Sequence, residues 1–434
     1  MIRLPFFFII LVFIYSCSLN KNSKFWTSSE NINIENNQTT KKILLKEKAI
    51  NNELNPNIRI IFKEKKPKDN MVIRNYNYFG RKNFDIILEK SSRYKFSKIK
   101  KFYQFEPTAS VYKDNLIFFD NKGSILRFDN DSNLIWKKNY YSKSEKKLNP
   151  ILQFSNNEKY LIVADNIAKY YVIDLKTGNL VWIKDNLAPF NSQIKTYKDK
   201  FFIIDFSNTL RCFSIKDGKE LWNIKTENSL IKSQKKLSMV IVKEKIIFNN
   251  SVGDISAVNL DTGELLWQLP TQSTSIYESA FSLETSELIT NGKTLFFSNN
   301  KNQLFSINVD TASFNWENKI NSNLRSSLVE NYLFSVSLEG YLIITEINSG
   351  NIIKVTDIFN NFKVNKRTKI KPTGFLMGLN KIYVSTNSGK LLVVDIASGK
   401  TISTLKIDNE KISQPFIINK SLFVIKDNAI IKLN

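Results

Sequence analysis

The side chains with the most evident chemical capacity in this sequence belong to one phrase, "LDTGELLW", in which a carboxylate and a glycine precede an indole. Repeated carboxylates could bind a cation or act as general bases, and a repeated indole could stack on a planar cofactor. The sequence has no His, and its two Cys, Cys17 and Cys212, lie far apart in different contexts. These facts exclude His-based metal sites, Ser-His-Asp and Cys-His catalysis, and a disulfide framework.

The phrase recurs along the chain, and its recurrence favours a structural role over a chemical one. Aligned on the turn, the units end at Trp136, Trp182, Trp222, Trp267 and Trp316, and two further units place Lys354 and Ser403 at the same position. Successive ends are 38 to 49 residues apart, and a period of about 40 to 50 residues in strand-rich sequence is typical of β-propeller blades. Asp261 and Gly263 are therefore predicted to form a tight turn, and each Trp to pack on a neighbouring blade.

Each unit divides into four short apolar runs separated by Gly, Asn or Asp, as expected for a four-stranded blade. After the seventh unit the chain still supplies three strands before Asn434. An eighth blade would lack its outer strand, and an open ring would expose a sheet edge. We predict an all-β fold, an eight-bladed β-propeller of four-stranded antiparallel blades closed by an N-terminal strand, with "FDIILEK" at residues 84–90 as the candidate. Seven blades are the alternative.

The N-terminus carries a different signal. "MIRLPFFFIILVFIYSC" has one positive charge and an apolar stretch that is too short to span a bilayer as a mature helix. It resembles a bacterial lipoprotein signal, which implies that residues 1–16 are removed and that Cys17 is acylated. Because Ser18 rather than Asp follows, the resemblance implies an outer-membrane anchor facing the periplasm. Residues 17–72 are predicted to form a flexible tether ahead of a propeller at 73–434.

The net charge of +23 invites a nucleic-acid interpretation. We do not favour it, because the Lys are scattered along the whole chain together with abundant Asn, Ile and Phe, rather than clustered on one element. A solvated surface is the simpler prediction, and contact with an anionic membrane surface stays open. Cys212, in "TLRCFSI", is predicted to be a buried apolar residue of a strand.

The D-x-x-T-G-x-x-x-W phrase resembles the repeat of the PQQ-type propellers, which include quinoprotein alcohol dehydrogenases and the BamB lipoprotein family. With the lipoprotein signal, the predicted eight blades are most similar to BamB over roughly residues 84–434. The resemblance implies a non-enzymatic scaffold without a cofactor. It would bind the BamA-like subunit of the β-barrel assembly machine, with unfolded outer-membrane proteins as further partners. The resemblance also implies partner contacts at Leu230, Ile231 and Lys232, and an acidic contact at Glu284.

Other functions are compatible with the same fold. A PQQ-dependent dehydrogenase would need carboxylate and amide ligands for a cation, a catalytic Asp and often a vicinal Cys pair, which Cys17 and Cys212 cannot form. A sialidase Asp-box in "SIKDGKELW" departs in spacing, and a WD40 propeller would need His and a Trp followed by Asp. The remaining alternative is a lipid-anchored propeller that binds another periplasmic protein or a glycan, or that captures clients by strand addition at an open edge.

Overall fold

A computed structural model describes residues 50–63, 75–78, 80–85, 88–227, 233–271 and 283–434. Besides strands, these ranges contain the short α-helices α1 (Lys143–Lys147) and α2 (Val364–Arg367), a 3-10 helix at Phe102–Gln104, and two helical residues, Asn75 and Tyr76. None of the helices within these ranges is long and apolar enough to cross a membrane. The predicted signal at residues 1–16, Cys17, and the loop residues Leu230, Ile231 and Lys232 lie outside the described residues.

The described strands form eight four-stranded antiparallel sheets that follow one another along the chain, which confirms the predicted eight-bladed β-propeller. Blade 1 contains β2 (Ser110–Tyr112), β3 (Asn115–Phe119), β4 (Ile125–Phe128) and β5 (Leu134–Lys138); blade 2 contains β6 (Leu152–Asn156), β7 (Tyr160–Asp165), β8 (Lys169–Asp174) and β9 (Leu180–Asp185); blade 3 contains β10 (Lys195–Tyr197), β11 (Lys200–Ile204), β12 (Thr209–Ser214) and β13 (Glu220–Lys225); blade 4 contains β14 (Met239–Val242), β15 (Lys245–Asn249), β16 (Ile255–Asn259) and β17 (Leu265–Leu269). Blade 5 contains β18 (Ile289–Thr290), β19 (Thr294–Asn299), β20 (Gln303–Asn308) and β21 (Phe314–Asn318); blade 6 contains β22 (Ser327–Val329), β23 (Tyr332–Val336), β24 (Tyr341–Glu346) and β25 (Ile352–Asp357); blade 7 contains β26 (Pro372–Met377), β27 (Lys381–Thr386), β28 (Lys390–Asp395) and β29 (Thr401–Lys406); blade 8 contains β30 (Phe416–Ile418), β31 (Ser421–Lys426), β32 (Ala429–Leu433) and, as its outer strand, β1 (Lys90–Lys95).

The antiparallel order gives the ring two unlike faces. The turn between the third and fourth strands of each blade, such as residues 260–264 of blade 4, lies at the end that we call the turn face. The segment that joins the outer strand of one blade to the first strand of the next, such as residues 186–194, lies at the opposite end, which we call the connection face. This assignment follows because successive antiparallel strands reverse direction.

The hydrophobic core lies between neighbouring blades. The second and third strands of each blade are nearly continuous apolar runs, such as β15 and β16, whereas outer strands such as β17 are exposed or half-buried. Phe202 of blade 3, for example, packs in one cluster with Met239 and Phe248 of blade 4. Since both faces of the middle strands are covered by adjacent blades, their sequences lack the two-residue alternation of a half-exposed sheet.

The ring is closed by an N-terminal strand, as predicted, because β1 pairs antiparallel with β32. The location predicted for that strand, residues 84–90, is too early: of this range the structure places only Lys90 in β1, and Glu89 just before it exchanges two backbone hydrogen bonds with Asn434. Phe84 is buried instead, and its carbonyl accepts a hydrogen bond from the N–H of Leu379 in blade 7 at 2.9 Å. The apolar run therefore packs on blade 7, while the closing edge strand is mostly polar, with Tyr94 as its buried side chain.

The repeated turn is built by a side chain that precedes the predicted Asp. In blade 4 the side-chain oxygen of Asn259 accepts hydrogen bonds from the N–H groups of Asp261 (2.9 Å) and Thr262 (3.0 Å), and Gly263 has φ 75°. The carboxylate of Asp261 instead accepts from Lys200 Nζ of blade 3 at 2.8 Å. Asp261 and Gly263 thus lie in the predicted turn, but the side chain that accepts from the turn N–H groups is Asn259, two positions before Asp261.

Each of four repeat Trp residues packs on the glycine of the next blade's turn. The pairs are Trp136 with Gly178, Trp182 with Gly218, Trp222 with Gly263 and Trp316 with Gly350. The indole N–H groups of Trp182, Trp267 and Trp316 donate to backbone carbonyls of the following blade at 2.8 to 3.1 Å. Those of Trp136 and Trp222 have no acceptor in the part of the chain that the structure describes. The indoles thus couple successive blades.

Substitution of Gly263 by Ala tests this coupling. The added methyl carbon would lie 2.5 Å from the indole of Trp222, at a backbone φ of 75° that disfavours a Cβ. We expect Gly263→Ala to lower the free energy of unfolding by about 2 kcal/mol or more, measured by urea unfolding. Ala312 occupies the equivalent turn position of blade 5 at φ 58°, so Ala312→Gly should change stability by less than about 1 kcal/mol. Equal effects of the two substitutions would contradict the argument.

Candidate functional site

The ring encloses a cavity of about 590 Å³ near its axis. The first strands of the blades and the segments leading into them form its wall, with contributions such as Val111, Phe154, Thr196 and Phe416. Polar and charged groups from several blades converge on it. A concave site of this size with converging polar groups is the first place to look for a ligand.

A residue from the chain before blade 1 lies in this cavity. The Asn77 side chain is buried, and its amide nitrogen donates to the carbonyls of Met239 (3.0 Å) and Leu288 (2.9 Å). Its side-chain oxygen accepts from Lys195 Nζ at 2.5 Å. Asn77 therefore links blades 3, 4 and 5 from inside the ring. Its position was not predicted, because "RNYNYFG" contains no motif.

Basic side chains outnumber acidic ones on the cavity wall. The charged residues that line it are Lys195, Lys236, Arg325, Lys411, Glu106 and Glu287. The Lys235 ammonium, beside the cavity, pairs with the Glu106 carboxylate. Lys236 Nζ donates to the Glu106 carbonyl at 3.4 Å, and Lys411 Nζ donates to the Phe105 carbonyl at 3.1 Å. These three lysines thereby hold the segment that leads into blade 1, which gives them a structural role.

Burial shifts the protonation of these groups. It lowers the pKa of Lys195 to about 7, and it also lowers the pKa of Lys236 and Lys411. Burial alone would raise the pKa of Glu106, but Lys235 and the neighbouring lysines outweigh it, so the pKa of Glu106 lies below its usual range. A pKa of about 7 makes Lys195 change its protonation near neutral pH.

The described residues contain no group of three or more His, Cys, Asp or Glu side chains that could hold a metal ion. Cys212 is fully buried in β12, as predicted from its strand-like context. Burial raises the pKa of its thiol to about 12, so the thiol stays protonated at neutral pH. A protonated, inaccessible thiol is a poor nucleophile.

Glu284 lies on the connection face, in the segment that leads into blade 5. Its N–H donates to the Asn300 side-chain oxygen at 2.9 Å, and its carboxylate accepts from Asn323, in the segment that leads into blade 6. Ser233, directly after the predicted contact loop, donates through its hydroxyl to the Leu283 carbonyl. The segments leading into blades 4 and 5 therefore meet beside Glu284, which the predicted contacts require.

Leu187, on the same face, was not singled out in the sequence. It lies in residues 186–194 and is 96% exposed, whereas Phe190 a few positions later is buried. Single exposed apolar residues are common on protein surfaces. The short apolar run "LAPF" inside a connection is the signal that marks Leu187, and its full exposure makes it a candidate contact beside the predicted ones.

An eight-bladed ring of antiparallel sheets, coupled by indoles that pack over the next blade's turn, defines a PQQ-type propeller. The chain belongs to the family of the outer membrane protein assembly factor BamB, whose family model matches residues 121–356. Among individual proteins it is similar to BamB of Shewanella oneidensis, with 22% identity over 342 residues that cover 66% of this chain and 82% of that protein. BamB of Moranella endobia is 21% identical over 278 residues, which cover 62% of this chain and 68% of the relative.

Solved structures share the fold. The crystal structure of BamB from Moraxella catarrhalis matches with a TM-score of 0.65 and 14% identity, covering 80% of this chain and 100% of that chain. Quinohemoprotein alcohol dehydrogenase from Comamonas testosteroni matches with a TM-score of 0.61 and 9% identity, covering 81% and 78%. An outer membrane protein assembly factor and an alcohol dehydrogenase both have this ring, so the fold does not decide the function.

The lowered pKa of Lys195 predicts a pH dependence of stability. An unfolded chain holds its lysine protons up to a pKa of about 10.4, so between pH 7 and that value it binds more protons than the native state. The free energy of unfolding of the wild type should therefore rise across this interval, by up to about 1.4 kcal/mol per pH unit. Below pH 7 the contribution of Lys195 should not change with pH. Lys195→Met should flatten the rise in urea unfolding measured from pH 7 to 9.5.

The matched control for this substitution is Lys219→Met, whose side chain is 77% exposed. It should keep the wild-type slope of stability against pH. Parallel slopes for wild type and Lys195→Met would show that burial does not perturb this ammonium.

Proposed function

We propose that this protein is a lipid-anchored, non-enzymatic scaffold of the outer-membrane β-barrel assembly machine, facing the periplasm and docking on the barrel-inserting, BamA-like subunit. The observation that carries the proposal is the match of residues 121–356 to the BamB family. The closed ring supports it further, since connections held by a rigid frame are suited to binding. Assistance to the folding or insertion of outer-membrane proteins is the role that follows from this docking.

We place the docking site on the connection face. Leu230, Ile231 and Lys232 lie in the segment that leads into blade 4, and the hydroxyl of Ser233 joins that segment to the one carrying Glu284. Two aliphatic side chains can fill a partner pocket, while Lys232 and Glu284 offer opposite charges that fix the register of the partner. Asn323 orients the Glu284 carboxylate in advance of binding.

A non-enzymatic role is supported by the chemistry of the ring interior. Asn77 of the chain itself lies in the axial cavity, and the lysines there bind carbonyl and carboxylate oxygens of the protein. The sequence contains no His, and Cys212 is buried and protonated. The likeness to quinohemoprotein alcohol dehydrogenase is confined to the fold at 9% identity.

A second candidate is a lipid-anchored binding module for another periplasmic protein or a glycan. Leu187, which is exposed on the connection face, supports this candidate because an apolar side chain can contact many kinds of partner. Copurification from solubilised outer membranes separates the two functions. Recovery of another protein in place of the barrel-inserting subunit would favour this second candidate.

Simultaneous replacement of Leu230, Ile231 and Lys232 by Ala should weaken binding to the barrel-inserting subunit at least tenfold, or about 1.4 kcal/mol, because buried aliphatic anchors dominate interface energies. Copurification and a binding titration measure this effect, and thermal unfolding should be unchanged. The control replaces Leu180, Leu221 and Lys219, two aliphatics and one lysine exposed at the turn face, and should leave binding intact. If the loop variant fails to fold, the loop is structural instead.

Cys17→Ala should abolish incorporation of labelled palmitate and move the protein from the membrane to the soluble fraction, because buried acyl methylenes contribute about 0.8 kcal/mol each to anchoring. Mass spectrometry of the mature wild-type N-terminus should find an acylated Cys17. The control is Cys212→Ala, which removes the buried cysteine and should retain both label and membrane association. A mature chain that begins at another residue would overturn the proposed anchor.

A further inference from the structure

Residues 50–63, which we call the strap, lie along the outer edge of blade 6. Leu54 and Val355 of β25 exchange two backbone hydrogen bonds, of 3.0 and 2.9 Å. Toward the connection face the N–H of Ile50 donates to the Lys319 carbonyl at 3.0 Å, and toward the turn face the N–H of Ile60 donates to the Ala397 carbonyl at 3.1 Å. The strap thus adds to the sheet edge and runs from blade 5 to blade 7.

Lys354 is the centre of this contact. It occupies the position of the repeat Trp in blade 6, yet its side chain is fully buried. Its ammonium donates to the carbonyls of Pro56, at 3.1 Å, and Ile58. Among the described residues no carboxylate lies within ion-pair distance of Lys354, and its ammonium donates to carbonyls of the strap instead. Burial accordingly lowers the pKa of Lys354.

The packing around Lys354 explains why an indole is absent there. In blades 1, 2, 3 and 5 the repeat Trp covers the turn glycine of the next blade, but Gly399 of blade 7 is covered by Thr356. A Trp at position 354 would lie in the space through which the lysine reaches the strap. A buried ammonium needs several acceptors, and an extended segment supplies them as successive carbonyls.

The outer strand of blade 6 differs from those of other blades in how far its apolar side chains are exposed. The outer strands of other blades leave apolar side chains exposed by 40% or more, such as Leu134, Leu265 and Phe314. In β25 the corresponding residues Ile352 and Ile353 are half-buried. Blade 7 also lacks the repeat Trp, but its Ser403 and the adjoining Ile402 stay exposed. The edge of blade 6 is therefore specific for an extended occupant.

We infer that the outer edge of blade 6 is a receptor for the chain's own strap, and that Lys354, in place of the repeat indole, selects this extended segment. The receptor does not depend on the proposed acylation of Cys17.

Hydrogen exchange of the full mature chain tests the receptor. The amides of Leu54, Ile60 and Val355 should be protected in wild type and in the control Lys219→Met. Lys354→Trp restores the repeat residue, so the propeller should unfold at the same temperature or higher, while strap protection should fall at least tenfold. If Lys354→Trp does not fold, Lys354→Met, which keeps the apolar stem and removes the ammonium, should show the same loss.

Unchanged strap protection in a folded Lys354 variant, or an unprotected strap in wild type, would overturn the receptor. The same measurement on the Cys17→Ala chain should give wild-type protection, because the strap contact needs no lipid. A failed anchor is therefore distinguishable from a failed receptor.

Discussion

Each blade of this ring depends on its neighbour through an aromatic side chain laid over a glycine. Where Trp222 covers Gly263, the glycine can have no side chain, and the turn must keep its left-handed backbone. The turn and the indole are therefore fixed in every blade that has the pair, while the strands between them need only be apolar and of suitable size. This coupling explains why the repeat can be recognised in the sequence although the blades differ widely from one another.

The same coupling explains what could be predicted. The number of blades follows from local features, namely apolar runs and a recurring turn. Because the last blade lacks an outer strand in the C-terminal sequence, an N-terminal strand is expected to complete it. The identity of that strand does not follow, because β1 is a polar edge with Tyr94 as its buried side chain, while the apolar residues before it pack on blade 7. The position of Glu284 on the connection face was predictable, but its hydrogen bond to Asn323 joins two distant segments and leaves no local pattern.

The strap lies within the segment predicted to be a flexible tether, and neither its contacts nor those of Asn77 could be predicted. The strap is held mainly by backbone groups, which every residue possesses, whereas the Asn77 amide bonds two carbonyls and three side chains of distant segments, so composition reveals neither. Lysines make several of these contacts: Lys354 on the strap, Lys411 on the segment before blade 1, and Lys432 on the carbonyl of Asn130 at 3.3 Å. An ammonium has three donors and can serve several carbonyls of an irregular segment. Part of the strong positive charge of this chain thus has an internal structural use, in keeping with its scattered distribution.

The pairing of β1 with β32 joins two segments separated by almost the whole propeller. Closing so long a loop costs chain entropy, and the cost is offset only when the final hairpin of blade 8 is in place. A chain that crosses a membrane from its N-terminus would hold β1 ready while β32 had yet to arrive. Until then, seven blades would form an open arc with unpaired strand edges, and such edges can pair with other chains. Because β32 emerges last, pairing of the final hairpin with β1 is the step that closes the ring and removes its aggregation-prone edges.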